Sequence, residues 1–244
     1  MRNYAWLFLS IGLTFSLVGC GDSGSSGGGG SAASGGSGGS GGSGTATASG
    51  VVMEAADPND IPFVGATVSV GSATATSGQG GSFTIQSPVG TQLFLTEAAG
   101  HWGTLLPDEI PSGGRNDLEL QVIPDMFVAD IGTELGIAVD PTKGIVSVSF
   151  DEDTAAVGDK ATISAGSAGS FVFDANGDPV PGNALLAGGV ANNDVEVIFV
   201  NVDLTNQVTV TASNAADQPC LQDFPNLVYP VQEKVLTEVE VSCP

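Results

Sequence analysis

Val64-Gly65-Ala66-Thr67-Val68-Ser69-Val70 places apolar side chains at 64, 66, 68 and 70, with small or polar residues between them. A period of two is the mark of a strand with one face buried and one in water. The pattern spreads outward from this stretch. Ser82-Phe83-Thr84-Ile85-Gln86 and Leu118-Glu119-Leu120-Gln121-Val122 alternate in the same way, and Leu93-Phe94-Leu95 is a short apolar run. Turn formers separate them: Asp57-Pro58-Asn59-Asp60, Gly78-Gln79-Gly80-Gly81, Pro88-Val89-Gly90 and Ser112-Gly113-Gly114. Short strands with regular punctuation predict a small β-sandwich over 50–122.

The same reading repeats further on. Ile145–Phe150, Phe171–Phe173, Val195–Phe199, Gln207–Val210 and Val235–Val241 alternate, so 137–244 is expected to form a second sandwich. Two phases relate it to the first. Asp57, Asn59, Pro62 and Gly65 recur as Asp174, Asn176, Pro179 and Gly182, or else Val157–Ile163 is the counterpart of the Gly65-Ala66-Thr67-Val68 strand. The second phase is preferred, since it gives Lys143–Phe150 a role as first strand. Between the two units, 123–136 predicts a short helix. Asp125 is its expected N-cap, Met126, Phe127, Ile131 and Leu135 its apolar face, and Gly136 its stop. The fold class expected is all-β, with two small sandwiches in tandem joined by that helix.

The N-terminus has a different composition. Arg2 precedes a mostly apolar run from Tyr4 to Val18, too short for a comfortable membrane span, and Gly19 precedes Cys20. From Gly21 to Ser49 nearly every residue is Gly, Ser, Ala or Thr. Such a segment buries too little apolar surface to offset its chain entropy, so 20–49 is expected to be a disordered tether. Its composition gives a reach of roughly 30 Å.

Two resemblances arise from these residues. Leu17-Val18-Gly19-Cys20 resembles the lipobox of bacterial lipoproteins. This implies that 1–19 is a signal peptide, that Cys20 carries lipid, and that the membrane is a partner through that lipid. Several acyl chains on one residue exceed the marginal anchoring of a single chain. Gly21, where an inner-membrane retention aspartate would sit, implies an outer-membrane address on either the surface or the periplasmic face. The second resemblance rests on Ser49-Gly50-Val51-Val52, Pro62–Val68, Thr74-Ala75-Thr76, Gly81-Ser82-Phe83, Gly90, Leu93, Leu95 and Ala98-Ala99-Gly100-His101. Their order resembles the carboxypeptidase regulatory-like domain, a transthyretin-like β-sandwich. Departures are the insertion at Asp57–Ile61 and His101 in place of an aromatic. The resemblance implies a module without catalytic residues of its own.

The formal net charge is -22, from 27 acidic residues against five Lys plus Arg. Arg115, Lys143, Lys160 and Lys234 are the fixed cations after the leader, too few to grip a phosphate backbone, so nucleic acid is excluded as a partner. With Cys20 assigned to lipid, Cys220 and Cys243 form an even pair in an exported chain and predict a disulfide.

Candidate sites are few. Asp174-Ala175-Asn176-Gly177-Asp178 opens like a Ca²⁺ loop, but Leu185 stands where the closing acid is required. Asp151-Glu152-Asp153 and Asn192-Asn193-Asp194 offer further oxygen ligands only if they converge. His101, the sole histidine, excludes multi-histidine metal motifs and would be the base of any Ser-His-Asp triad. His101-Trp102 is the candidate ligand-binding spot, with Trp102 on a loop as a stacking platform for a sugar or a partner side chain, or else packed against the connector. No catalytic residue, metal ligand or cofactor is assigned. The expected role is a non-catalytic surface lipoprotein that binds an unidentified protein or glycan; the alternative is a carbohydrate-binding accessory protein that uses Trp102.

Overall fold

The computed structural model describes residues 44–55 and 60–244. The signal segment, Cys20, the tether up to Ser43 and Asp57-Pro58-Asn59 of the first turn lie outside them. Chain order in the first half is β1 (Thr45–Glu54), β2 (Ile61–Pro62), β3 (Thr67–Val70), β4 (Ala73–Thr76), β5 (Ser82–Pro88), β6 (Gly90–Glu97), β7 (His101–Ile110) and β8 (Arg115–Pro124). Strand β1 starts at Thr45 rather than at Gly50, because Ala46 and Ala48 alternate inward and pair with β5.

β1 pairs antiparallel with β5 and parallel with β8; β7, β6, β3 and β4 form the opposing sheet. Between them lies an apolar core that includes Val52, Val68, Phe83, Phe94 and Leu120. The alternation that begins at Val64 becomes strand only from Thr67. Gly65 sits at φ +95°, and Val64 is exposed. At Gly50 the backbones of β1 and β8 close in, and a Cβ there would lie 1.8 Å from the Leu118 carbonyl oxygen. Only glycine permits that approach.

Next come α1 (Asp125–Leu135), β9 (Gly144–Phe150), β10 (Lys160–Ile163), β11 (Gly169–Phe173), β12 (Pro179–Pro181), α2 (Ala187–Ala191), β13 (Glu196–Val202), β14 (Val210–Ser213), β15 (Leu221–Gln222) and β16 (Val235–Ser242). The connector helix forms where expected. It ends at Gly136, whose left-handed conformation (φ +68°) turns its N–H onto the Gly132 and Thr133 carbonyls. Pro124 rather than Asp125 occupies the N-cap, and Asp125 instead pairs with Lys234 at 2.8 Å. Met126 is 68% exposed, while Val128 and Ile131 face inward.

The two sandwich halves lie in tandem, and they share a sheet. Strand β16 runs parallel to β9 on one side and parallel to β7 on the other. One path of nine strands, β12-β11-β13-β9-β16-β7-β6-β3-β4, therefore crosses both halves. The C-terminal strand is the staple between them, a role that a helical connector alone did not suggest. At the β12 edge Pro179 and Pro181 lack N–H groups, which blunts further pairing there.

The second half packs on both faces of this sheet. Val146, Val148, Val197, Phe199, Val239 and Val241 point toward the small β10–β14 sheet and Tyr229. Ile145, Phe171, Ile198 and Leu236 point the other way, toward α1 and the first half. Cys220 and Cys243 form the expected disulfide, with Cα atoms 4.2 Å apart, and tie the residue before β15 to the one after β16.

Candidate functional site

His101 opens a strand rather than lying on a loop. Gly100, at φ +76°, completes the turn, and β7 then alternates from Trp102 onward. That parity sends Trp102 inward. It is 3% exposed and packs with Ala55, Ile123, Val128, Ile131 and Leu236 at the junction of helix, first half and staple strand. The stacking-platform reading of Trp102 is therefore corrected: an indole closed off from solvent offers no face to a sugar, and the core alternative holds.

His101 is half-buried. Its Nδ1 lies 2.9 Å from the Ala99 carbonyl, its Nε2 lies 2.6 Å from a Glu54 carboxylate oxygen, and Phe63 meets the ring edge-on at 4.7 Å. Both nitrogens are engaged by acceptors, so neither faces a serine or cysteine nucleophile. The residue closes one end of the first sandwich against Phe63.

The acidic loops behave as turns. Asp174 Oδ1 accepts the N–H groups of Asn176 and Asp178, and Asp151 Oδ1 accepts that of Asp153. Asn192 Nδ2 reaches the Ala175 carbonyl at 3.0 Å, so the Asp174 turn and the Asn192 loop do touch. Among the described residues, no three His, Cys, Asp or Glu side chains lie in an arrangement able to hold a metal ion.

The site that sequence reasoning missed lies on the shared sheet. Strand register sets Glu196 of β13 beside Ser149 of β9, and Ser149 beside Glu240 of β16. One step along, Ser147 lies beside Glu238. Partnered residues share a face, so Glu196, Ser147, Ser149, Glu238 and Glu240 form one polar row next to the apolar patch of Ile145, Ile198 and Leu236. Ser149 Oγ donates to Glu238 Oε1 at 2.9 Å. Glu196 is 2% exposed, and Glu238 and Glu240 are half-buried. Asp194 enters the row from the turn before β13, and Asp108 approaches from β7. Among the described residues, the buried Ser147 Oγ and Asp194 Oδ2 have no hydrogen-bond partner.

Burial dominates the electrostatics, because removal from water disfavours the charged form. It pushes the Asp194 carboxyl up to about 7 and, helped by neighbouring acids, Glu240 up to about 8. Glu196 is raised well above the usual carboxylate range by burial and then by Asp194 and Glu238, and Glu238 is raised by burial despite the Ser149 hydrogen bond. Asp108 rises to about 6 by burial, against the lowering pull of Arg115. Arg115, the cation that reaches the row, is already held by Asp108 and Asp117. Carboxyls raised in this way hold their protons to higher pH than exposed carboxylates do.

The sequence did carry half of this signal. In Thr237-Glu238-Val239-Glu240-Val241 the two acids alternate with core valines, which reads as a solvated face. That the face is covered follows only from the placing of β16 between β7 and β9.

No family model and no curated protein matches this chain. Among solved structures it is similar to the TIE protein of Bacillus anthracis, at 9% identity and a TM-score of 0.25, over 81% of this chain and 34% of that one. It is also similar to GBS52, the minor pilin of Streptococcus agalactiae, at 12% identity and a TM-score of 0.22, over 81% of this chain and 95% of that one. A third likeness is to a DUF3823 family protein from Parabacteroides merdae, at 10% identity and a TM-score of 0.24, over 65% of this chain and 97% of that one.

Proposed function

We propose that this chain is a non-catalytic lipoprotein that displays a stiff β body as a structural or interaction module of the cell envelope. The observation that supports it best is the staple. A single strand, β16, hydrogen-bonds to both halves and merges them into one nine-strand path. A body whose halves share backbone hydrogen bonds and a common core resists relative motion, as suits a fixed display surface rather than a hinged cleft. The lone histidine is committed to Glu54 and a backbone carbonyl. No helix among the described residues is long and apolar enough to cross a membrane. In this reading the anchor is lipid on Cys20, and the Gly/Ser-rich segment from Gly21 to Gly44 is the spacer, whose composition gives a reach of roughly 25–30 Å. The address is the outer membrane, and the partner is a protein met at the body's surface.

The test is brief protease treatment of intact source cells, followed by mass spectrometry of what is released. The expected result is a fragment cut before Thr45 that retains 45–244 intact, together with loss of membrane association in a Cys20→Ala variant. Release only after the outer membrane is permeabilised would overturn surface display. Membrane retention of Cys20→Ala would overturn the lipid anchor.

A further inference from the structure

The carboxylate row lies on the strand that fastens the halves together, and this placement gives it a consequence. Glu238 and Glu240 belong to β16 itself, Glu196 lies two strands away in β13, and the serines of β9 bridge them. The groups within electrostatic reach are nearly all acidic. Glu196 meets Asp194, Glu238 and Glu152. Glu240 meets Glu238, Asp223 and Asp108, with Arg115 as the one opposing cation among the described residues and already bound by two aspartates. The Tyr229 phenol, on the opposite face of the sheet with Val239 and Val241, is buried and without a hydrogen-bond partner among the described residues; burial raises it, and Glu240, Asp223 and Glu238 add to that. Ser147, fully buried beside Glu238, likewise leaves its hydroxyl unpaired. Like charges this close cannot all ionise without opposing the pairing of β16 with β9. The arrangement does not converge on a metal-binding geometry, so the neutralising species that the row accommodates is the proton.

We propose that the acidic row across β13, β9 and β16 is a proton-loaded seam: while its carboxyls are protonated the C-terminal strand fastens the two halves, and when they release protons the staple loosens. The direction follows from linkage. Each raised carboxyl binds its proton more tightly in the folded than in the unfolded chain. The stability it contributes is therefore fully present below the unfolded value near 4 and is lost as pH rises through the folded value. For Asp194 and Glu240 that loss begins near the unfolded value of about 4 and is complete once pH has passed about 7 and about 8 respectively.

Hydrogen exchange on the purified full-length protein tests this, read as protection factors so that the intrinsic pH dependence of exchange is removed. Between pH 5 and pH 9 the amides of β16 are expected to lose protection at least about tenfold relative to those of β1, the central strand of the first half. Glu196→Gln and Glu238→Gln mimic the protonated side chains, and each is expected to keep β16 protected at pH 9. Glu97→Gln, an exposed carboxylate on β6, removes the same charge and is expected to follow the wild type. Equal behaviour of β16 and β1 across the range overturns the proposal, and so does a Glu97→Gln variant that protects β16 as well as the buried substitutions do. Where a buried variant fails to fold, the wild-type comparison of β16 with β1 decides.

Discussion

The two halves bury their cores by different means. The first half is two sheets face to face, with β1 in the centre of one and the apolar residues of Val52, Phe83, Phe94 and Leu120 between them. Its buried polar groups are mostly neutral, among them Ser77, Ser87, Thr96, Thr104 and Gln121, and its buried acid Asp108 is held by Arg115. The second half is a single sheet clasped between α1 and the small β10–β14 sheet, closed by a disulfide and completed by its last strand. One half is a self-contained sandwich. The other depends on the C-terminus, and it accepts acids on a covered face in order to have that strand. Equal strand content thus conceals unequal dependence on distant parts of the chain.

The largest effect expected from breaking this comparison is removal of the staple. Deleting 235–244 takes away the partner of both β7 and β9 and one cysteine of the disulfide. The second half is expected to lose cooperative folding while the β1–β5–β8 and β7–β6–β3–β4 sheets keep theirs, seen as a single smaller transition in denaturant titration. Survival of two transitions would mean that the halves are less unequal than their packing implies.

Trp102→Ala empties the junction shared by both halves. A buried indole in a core costs about 3–5 kcal/mol on truncation, measurable by circular dichroism melts. An unchanged midpoint would return Trp102 to the surface role that its burial now denies it.

Cys220→Ser with Cys243→Ser should cost about 3 kcal/mol by the loop-entropy account, for a sequence separation of 23. The loss is expected in the second half alone. Gly50→Ala acts on the first half alone, forcing β1 from β8 where the added Cβ meets the Leu118 carbonyl oxygen. About 1–3 kcal/mol is expected from that overpacking. Taken together, these two variants sharpen the contrast, since each should shift only one set of amides in hydrogen exchange. The smallest change is Lys234→Met, which breaks a solvent-screened pair between helix α1 and the residue before β16. Less than about 1 kcal/mol is expected, and a larger loss would mark that pair as part of the staple.

Much of this structure was legible locally. The alternation of Ile145–Phe150 and Val235–Val241 became β9 and β16, Gly136 stopped the helix, and Cys220 paired with Cys243. Strand β7 was not legible. Its sequence, His-Trp-Gly-Thr-Leu-Leu-Pro-Asp-Glu-Ile, holds a run buried on both sides, with Pro107 in the middle, and neither face reads as solvated. Trp102 escapes the local pattern for the same reason: it follows the turn at Gly100 closely, where the strand has already begun.

The sequence by itself determined the alternating strands, the helix stop, the disulfide and the acidic character, because each depends on a period, a backbone preference or a count within a short span. It also supplied the alternating acids of β16. Only the tertiary structure decided that those acids are half-buried and that Trp102 is core. Burial of a face depends on which distant strand lies beside it and what packs above it. Here that was settled by β16 settling between β7 and β9, a pairing that brings the end of the chain against its middle and that no local pattern encodes.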